Sequence, residues 1–425
     1  MELKKYKLGE ITNIYNGSTP STKEADNYDG DIIWATPKDL SDQQSKYFYC
    51  GSRNITKKGF NSCSTQMIPA NNILMSSRAP IGLFAINKVD CCTNQGFKNI
   101  VLDKKNADVD FMYYFLKYHV KEIEALGSGT TFKEVSKASF EKYEISIPTL
   151  ESQQKIAAVL SALDDKIALN RRLNAKLEQM AKRLYDHWFV QFDFLNENGK
   201  PYKASGGKMV WNETLKREIP EGWEVKKLGT LFTTNRGISY STKTITGNKG
   251  IPMINLASFS PDGSYKIDGI KIYTGEYTEE KTLKPFDLVM CNTQQTAIDF
   301  SKDIIGKALL VPDIFEGDIT SSHHVNTLKV QNEKLKFYLY HLFNTDYFHA
   351  YISHYASGTN IMGLDFAGVE NYSAVIPSEE ILSKFADFTL DIEMKKSEII
   401  RENTKLVALR DKLLPLLMNG QVEVK

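Results

Sequence analysis

Residues 149–189 read TLESQQKIAAVLSALDDKIALNRRLNAKLEQMAKRLYDHWF, and this stretch decides the fold of the chain. Its apolar residues recur at steps of 4, 3 and 4, which is the spacing of one helical seam. They form two blocks: Ile156, Leu160, Leu163 and Ile167, then Leu177, Ala181, Leu184 and Trp188. About 40 residues at about 1.5 Å each predict a rod on the order of 60 Å long. Such a rod is too long for an ordinary core helix, and its other faces are too polar to be buried all round.

The start and the middle of this rod carry their own signals. Pro148 ends the preceding strand, Thr149 is a good N-cap, and Glu151 suits the positive end of a helix. Asn170 and Asn174 lie on the seam between the two apolar blocks. We therefore expect a helix that begins at Thr149 and has a polar break in its apolar stripe.

A second rod begins after Pro377 and repeats the same spacing. Its seam carries Ile381, Phe385, Phe388, Ile392, Lys395, Ile399, Glu402, Leu406, Leu409, Leu413 and Leu416. Pro415 lies inside it, and proline kinks or ends helices, so we expect its last turn to differ. Two long helices with apolar stripes most simply bury those stripes on each other. The alternative is two unrelated surface helices.

Composition limits the class of protein. A chain of 425 residues predicts two or three domains, and a net charge of +1 means that any basic surface is local. We find no apolar run of about 18 residues for a membrane span, and no apolar core of a signal peptide at the N-terminus. The five cysteines form no CxxC pair, which indicates reduced thiols and a cytoplasmic protein.

Globular segments flank the first rod. Residues 1–148 form the first predicted domain, with strands expected at 32–36, 73–77, 83–86, 100–102 and 143–147 and a helix at 109–126. We interpret the remaining chain as the central helix (149–190), an irregular connector (191–219), a second domain (220–377) with a helix at 333–354, the C-terminal helix (378–418) and a tail (419–425).

The second domain and rod repeat the first loosely, with loops that differ in length and sequence. Matched segments are KLG at 7–9 and 227–229, SGT at 128–130 and 357–359, and IP at 147–148 and 376–377. By position, 33–35 corresponds to 253–255, and 70–75 corresponds to 285–290. The repeated unit is therefore a globular domain followed by a rod.

This order of domains and rods predicts how the rods pair. A parallel pairing would require the second domain to carry the chain back along the whole rod, so we expect an antiparallel pair. The predicted class is α+β, with two similar mixed α/β domains separated by two long helices that form an antiparallel coiled coil, arranged about a pseudo-two-fold axis. Two similar modules at a fixed separation suit a bipartite site on duplex DNA, whose turns repeat every ~34 Å.

The sequence contains none of the familiar catalytic motifs. There is no P-loop, no GxGxxG and no HExxH, and we interpret Asp164 and Asp165 as a solvated pair on the polar face of the rod. His323 and His324 are adjacent on an expected strand, where neighbours point to opposite faces, so shared metal ligation is not expected. We predict no catalytic residue, no metal site and no cofactor in this chain.

Candidate DNA contacts are loop residues that can bind phosphates or base edges. In the first segment they are Ser18, Thr19, Lys38, Arg78, Asn94, Gln95, Lys98, Ser128, Thr130 and Lys133. In the second they are Arg236, Asn255, Asn292, Gln294, His323, His324, Thr359 and Asn360. The Ser-Gly-Thr loops have two readings, as phosphate-binding amides or as tight turns that end the preceding helix.

The chain resembles the specificity (S) subunit of type I restriction–modification enzymes over essentially its whole length. The motifs that carry the resemblance are GSGTTF at 127–132, IPTLESQQKIAAV at 147–159, LDDKIALNRRLNAKLEQMAKRL at 163–184, FDFLNENGKPYKASGGKMVWN at 192–212 and IPEGWEVKKLG at 219–229. The second half departs from the pattern, with SGTNI at 357–361 and SEEIL at 378–382.

The resemblance implies that the two globular segments are target recognition domains, each reading one half of a bipartite DNA site. It implies that the helices set the spacer and dock two modification (M) subunits, which bind S-adenosylmethionine and methylate adenine, while restriction (R) subunits cleave DNA with ATP and Mg²⁺. The residues expected in the helix seam and in subunit docking are Ile156, Leu160, Leu163, Ile167, Leu177, Leu184, Ile392, Ile399, Leu406 and Leu413. A coiled-coil scaffold that does not read DNA, or an enzyme with a cryptic site, are the competing hypotheses.

Overall fold

A computed structural model describes residues 2–42, 45–129, 133–245, 249–295 and 302–424 of the chain. The chain divides into two compact units: unit 1 comprises Met1–Asn170 and Asn403–Lys425, and unit 2 comprises Arg171–Glu402. Both boundaries lie within long helices. Each unit therefore contains a globular part and a segment of both rods.

Unit 1 builds its globular part from short strands and helices. The strands are β1 (Leu3–Lys7), β2 (Thr12–Asn16), β3 (Tyr28–Ile32), β4 (Trp34–Ala35), β5 (Tyr47–Phe48), β6 (Ile73–Ser77), β7 (Ile81–Asn87), β8 (Cys92–Thr93), β9 (Phe97–Leu102) and β10 (Glu144–Pro148). The helices are α1 (Leu8–Ile11), α2 (Pro37–Asp42), α3 (Lys57–Asn61), α4 (Val109–Tyr118), α5 (Val120–Ala125), α6 (Lys137–Glu141) and the first part of α7 (Leu150–Tyr185).

Unit 2 continues α7 and adds a second set of strands. They are β11 (Met209–Asn212), β12 (Arg217–Pro220), β13 (Glu224–Lys227), β14 (Phe232–Arg236), β15 (Ile251–Ile254), β16 (Lys271–Tyr273), β17 (Thr282–Leu283), β18 (Leu288–Cys291), β19 (Thr293–Gln295), β20 (Ala308–Leu310), β21 (Ile319–Ser321), β22 (Val325–Val330), β23 (Ala356–Ser357), β24 (Ile361–Leu364) and β25 (Ser373–Ile376). The α-helices are α8 (Leu335–Phe343), α9 (Asp346–Ser353), α10 (Phe366–Asn371) and α11 (Glu379–Met418), whose last part belongs to unit 1.

Short helical turns complete both units. A π-helix at Asp186–Val190 directly follows α7. The 3₁₀ turns are Ala25–Asn27, Leu228–Thr230, Thr242–Thr244, Leu256–Ser258, Ile267–Gly269 and Glu279–Lys281.

The two units share a sheet topology, which confirms the predicted repeat. The strand order β2-β9-β6-β7-β5 in unit 1 corresponds to β14-β22-β18-β20 in unit 2. An antiparallel pair joins the start of each globular part to its last strand, β1 with β10 and β13 with β25. A parallel pair also recurs, β4 with β8 and β15 with β21.

One strand in each unit lies between two apolar layers. In β6, Ile73 and Met75 face the larger core while Leu74 faces a second cluster, because successive side chains of a strand alternate between faces. In β18, Leu288 and Met290 alternate with Val289 in the same way. This burial on both faces explains why both strands read as continuous apolar runs.

The long helices run antiparallel in each unit. In unit 1, Arg410 binds Asp164 at 2.8 Å and Asn170 donates to Asn403 at 3.0 Å, so the residue numbers rise on α7 as they fall on α11. In unit 2, Lys396 forms an ion pair with Glu178, and the rings of Tyr185 and Phe385 are 6.2 Å apart. The predicted antiparallel coiled coil is therefore confirmed from contacts within each unit.

The seam agrees with the prediction at most of its apolar positions. Ile156, Leu160, Ile167, Ile392 and Ile399 are buried. Leu163, Leu177, Leu184, Leu406, Leu413 and Leu416 are half-buried, whereas Phe388 and Leu409, also predicted in the seam, are exposed.

The polar positions of the second rod were predicted wrongly. Lys395 and Glu402 are exposed, and the buried polar residues of α11 are Thr389, Glu393 and Ser397. Phe385, Ile392 and Ile399 are buried at heptad spacing, whereas Thr389 and Ser397 are buried one and two residues after the predicted Phe388 and Lys395. The expected disruption at Pro415 is also wrong, because α11 continues to Met418.

The connector and three elements differ from the sequence-based expectations. Residues 191–219 are not irregular throughout, since β11 and β12 form a hairpin and Phe194 stacks on Trp223 at 5.0 Å. The helix expected at 109–126 is two helices, α4 and α5, which meet at His119, and the helix expected at 333–354 is divided into α8 and α9. The strand expected at 32–36 is shortened, because Pro37 begins α2.

Candidate nucleic-acid interface

The predicted DNA-contact loops of unit 1 meet at one end of its large sheet. Ser18 N donates to Thr93 O at 2.9 Å, and Ser77 N donates to Gly96 O at 2.7 Å. The Thr19 hydroxyl donates to the Gln95 side-chain oxygen. We call this set of loops, which carries residues 17–19, 76–78, 93–98, 128–129 and 133–134, the unit 1 loop cluster.

A glycine makes this close approach possible in both units. A Cβ at Gly17 would lie 1.9 Å from Asn94 O, and a Cβ at Gly237 would lie 2.3 Å from Ser322 O. Any larger residue would therefore separate the turn after β2 or β14 from its neighbouring loop. The two glycines occupy equivalent places, since Gly17 N donates to Phe97 O and Gly237 N to Val325 O.

Lys98 is buried, whereas it was expected at the surface. Its Nζ lies 3.0 Å from Glu134 Oε1 and 3.3 Å from Ser77 Oγ. Arg78 approaches the other oxygen of Glu134 at 3.8 Å. Lys98 thus holds the loops of the cluster together from inside, because a buried charge requires a partner.

The other unit 1 candidates lie at or near the surface. Lys38, Gln95, Ser128 and Lys133 are exposed, and Ser18, Thr19, Arg78 and Asn94 are partly exposed. Asn94 Oδ1 accepts the Gly96 N–H at 2.9 Å, so this side chain shapes its own turn. Thr130 lies outside the described residues.

Three amide candidates of unit 2 are buried and have structural partners. Asn255 Nδ2 donates to Gly269 O at 2.6 Å, and Asn292 Nδ2 donates to Asn326 Oδ1 at 2.6 Å. Gln294 Oε1 accepts the Ile304 N–H at 2.7 Å. These amides were expected in surface loops; the structure uses them to satisfy backbone and side-chain groups inside the fold.

His323 and His324 lie in a turn between β21 and β22, not on a strand as predicted. Their rings do not point to opposite faces, since the ring centroids are 3.8 Å apart. Thr293 Oγ1 lies 2.7 Å from His324 Nδ1. Burial lowers the pKa of both imidazoles, and the Arg236 charge lowers both further. Both rings are therefore neutral at pH 7, and a neutral imidazole both donates and accepts hydrogen bonds.

Arg236 is the exposed cation of this unit 2 site. Its Nε donates to His323 O at 2.9 Å. This bond orients the guanidinium, and its two terminal nitrogens do not take part in it. Thr359 and Asn360 are exposed in the loop between β23 and β24. Gly358 in the same loop has φ of 140°, a conformation that glycine adopts readily. We call residues 236–240, 292–294, 321–324 and 357–360 the unit 2 loop cluster.

The sequence reasoning missed Tyr240 and Lys271. Lys271 Nζ lies 3.2 Å from the Tyr240 hydroxyl and 4.9 Å from the centre of its ring, and the Tyr240 ring lies 5.6 Å from that of His323. Tyr240 follows Arg236 by four residues in a glycine-containing loop, which is a signal the sequence does contain. Lys271 comes from β16, and only the folded chain brings it here.

The described residues contain neither a cluster of metal ligands nor a membrane-spanning helix. No group of three or more His, Cys, Asp or Glu side chains within those ranges could hold a metal ion. Among the helices in the described part of the chain, none is long and apolar enough to cross a membrane.

Comparisons with known proteins give a consistent likeness. The family described as "Type I restriction modification DNA specificity domain" matches residues 1–179 and again 220–402. The type I restriction enzyme MjaIX specificity subunit of Methanocaldococcus jannaschii is 32% identical over 424 residues, which cover 99% of this chain and 93% of that protein. The HindI specificity subunit of Haemophilus influenzae is 24% identical, with 89% and 92% coverage.

A solved structure shares the fold. The type I restriction–modification system S subunit from M. genitalium superposes with a TM-score of 0.57 at 16% sequence identity, and the match covers 98% of this chain and 96% of that one.

Proposed function

We propose a function from the premise that this chain belongs to the family of type I restriction–modification DNA specificity subunits. Each globular part reads one half of a bipartite site in double-stranded DNA. The observation that carries the proposal is the recurrence of a loop cluster at the same end of equivalent sheets. The clusters share their framework and differ in side chains, so two halves of unlike sequence can be read. A scaffold without DNA recognition does not fit this family.

The proposed contacts are exposed or partly exposed, and they comprise Lys38 and members of the two loop clusters. In unit 1 they are Lys38, Arg78, Gln95, Ser128 and Lys133, and in unit 2 they are Arg236, His323, His324, Thr359 and Asn360. Lysine and arginine suit phosphates and guanine, while the glutamine amide can read adenine. The buried residues Lys98, Asn255, Asn292 and Gln294 would instead shape the loops.

We propose that the long helices set the spacer and dock two modification subunits. The buried seam is occupied within the chain, so docking would use apolar side chains that the helices expose. Leu169 and Leu409 are exposed at 54% and 45% in unit 1, and Leu173, Met180 and Met394 are exposed in unit 2. Large apolar side chains on exposed helical faces are typical of protein interfaces.

Chemistry would belong to the partners. In the proposed complex this chain carries no catalytic residue and no cofactor. S-adenosylmethionine would bind to the modification subunits that methylate adenine, and ATP and Mg²⁺ to restriction subunits that cleave DNA. We place the complex in the cytoplasm, where the DNA and these partners would be.

The test is methylation mapping in cells that express this chain with its modification partner. A bipartite adenine motif with two short halves and one fixed gap is the expected result. Absence of new methylation from an assembled complex would refute the proposed reading of DNA.

Arg236→Ala sharpens this test to one side chain. We expect the preference to relax at one position of one half-site, with about 1–3 kcal/mol lost, while the other half is unchanged. Arg217→Ala is the matched control, because Arg217 is an exposed arginine of the same unit that lies on β12, outside the loop cluster. A uniform loss of methylation with an unchanged motif would assign Arg236 to a phosphate instead.

A further inference from the structure

Asp164 joins three helices in unit 1, although the sequence suggested a solvated carboxylate. The Tyr114 hydroxyl on α4 donates to Asp164 Oδ2 at 2.6 Å. Arg410 on α11 donates to the other oxygen at 2.8 Å. Asp164 itself lies on α7, and its side chain is only 13% exposed. One carboxylate thus connects the globular part to both long helices.

Unit 2 contains the same arrangement with different residues. The Tyr340 hydroxyl on α8 donates to Glu178 Oε1 at 2.8 Å, and Lys396 on α11 binds Glu178 Oε2. Lys396 also binds Glu393, on its own helix, at 2.8 Å. Burial would raise the pKa of Glu178, but the Lys396 charge outweighs it and lowers that pKa. Glu178 is therefore an ionised acceptor at neutral pH.

The two tyrosines occupy equivalent places. Each lies on the first α-helix after a matching strand, Tyr114 on α4 after β9 and Tyr340 on α8 after β22. Each also follows a phenylalanine by three residues, Phe111 and Phe337 respectively. Both rings are buried, at 1% and 3% exposure. Burial and the adjacent carboxylate raise the pKa of each phenol, so both remain protonated donors. In both units, therefore, a buried tyrosine of the globular part donates to a carboxylate of α7 that also binds a cation of α11.

We propose that Tyr114 and Tyr340 are positioning residues, which hold each recognition domain at one angle to its helix pair and so restrict the DNA site to one spacer length. This inference rests on the proposed function, and it adds the residues that make the spacing strict. Neither tyrosine lies in a loop cluster, so each would act through geometry rather than by contact with DNA.

The physical reason is the directionality of the bond. A phenol that donates to a carboxylate at 2.6–2.8 Å forms a charge-assisted hydrogen bond, and this bond has a defined geometry. The carboxylate cannot follow a moving domain, because Arg410 or Lys396 holds its other oxygen. Apolar contacts in the same joint are not directional and would tolerate a small rotation.

The test uses Tyr114→Phe and Tyr340→Phe in the full chain, co-expressed with its modification partner. Phenylalanine keeps the ring and its packing, and each carboxylate keeps its basic partner. Matched controls are Tyr28→Phe and Tyr273→Phe, which remove the hydroxyls of buried tyrosines that donate to Pro20 O at 2.8 Å and Glu276 O at 3.1 Å. Both control bonds lie inside the globular parts. Tyr338 is not a suitable control, because its ring also contacts Tyr185 of α7, with the centroids 5.7 Å apart.

The readout is methylation, by single-molecule sequencing, of a library that contains the two half-sites at the native spacer and at one base pair more or less. We expect Tyr114→Phe and Tyr340→Phe to reduce the preference for the native spacer at least tenfold, which corresponds to about 1.4 kcal/mol. The controls keep the wild-type preference. The half-site sequences stay the same in all variants.

Three results would overturn the inference. One is an unchanged spacer preference in both tyrosine variants with the complex assembled. Another is a spacer preference that weakens equally in the controls, which would indicate that loss of any buried hydroxyl loosens the fold. The third is a wild-type complex with no bipartite methylation, which would refute the proposed function together with the inference. A lower total methylation at constant spacer ratio counts against positioning, because it indicates a structural role alone.

Discussion

His341 makes the stability of unit 2 depend on pH in the mildly acidic range. It lies on α8 at 5% exposure, stacked on Tyr185 at a centroid distance of 5.6 Å and an interplanar angle of 27°. Burial is the largest cause that lowers its pKa; Glu178 opposes this shift and Lys396 and Lys182 add to it, and together they bring the pKa to about 4. Its Nε2 has no hydrogen-bond partner among the described residues. The folded protein therefore favours the neutral ring.

The sign and size follow from proton linkage. The histidine of an unfolded chain titrates near 6.5, so between pH 6.5 and about 4 the unfolded state binds a proton that the native state does not. The contribution of His341 to stability is complete above pH 6.5 and is lost progressively as the pH falls toward 4. One pKa unit corresponds to about 1.4 kcal/mol, so the full loss is about 3 kcal/mol.

His341→Phe tests this reasoning, because phenylalanine keeps a ring in the stack and cannot titrate. Urea unfolding at pH 7.0, 6.0 and 5.0 would be followed by the fluorescence of Trp188 and Trp223, which are buried in unit 2. We expect the variant to lose about 2 kcal/mol less than the wild type between pH 7 and 5. The exposed His354 supplies the control His354→Gln, which should keep the wild-type slope. Equal slopes for wild type and His341→Phe would refute the linkage.

Two further predictions concern the helices. Leu160→Ala should destabilise unit 1 by about 2–5 kcal/mol, since Leu160 is fully buried in its core. The control Leu169→Ala, at an exposed position, should change stability by less than about 0.5 kcal/mol. Similar urea midpoints for the two variants would contradict the assigned seam. Insertion of one heptad into both helices, after Asn170 and before Asn403, should lengthen the spacer by about 10 Å, or about three base pairs. Methylation mapping that returns the original spacer would exclude the helices as its ruler.

The polar contacts between each globular part and the long helices could not be predicted from the sequence. Asp164 was interpreted as solvated because it was assigned to the polar face of the rod, and its partner Arg410 is 246 residues away. The buried polar residues of α11 were assigned to Lys395 and Glu402, whereas Glu393 and Ser397 face inward. Local pattern cannot decide such cases, because the buried face depends on which elements pack there.

The loop candidates show the same division. The positions of the loops followed from glycines and strand ends, and the structure brings Thr19 and Gln95 together as part of one cluster. Whether a side chain faces solvent did not follow. Lys98 and Glu134 are 36 residues apart, and only their pairing inside the fold explains why this lysine is buried.

The sequence by itself determined the two long helices, the repeated domain and the absence of familiar catalytic motifs, because hydrophobic period and repetition are local properties of the chain. Tertiary structure alone decided which polar side chains are buried, how His323 and His324 pair in a turn, and that Tyr114 and Tyr340 bind carboxylates of α7. These depend on contacts between residues far apart in sequence, and burial then sets the strength of each charge and hydrogen bond.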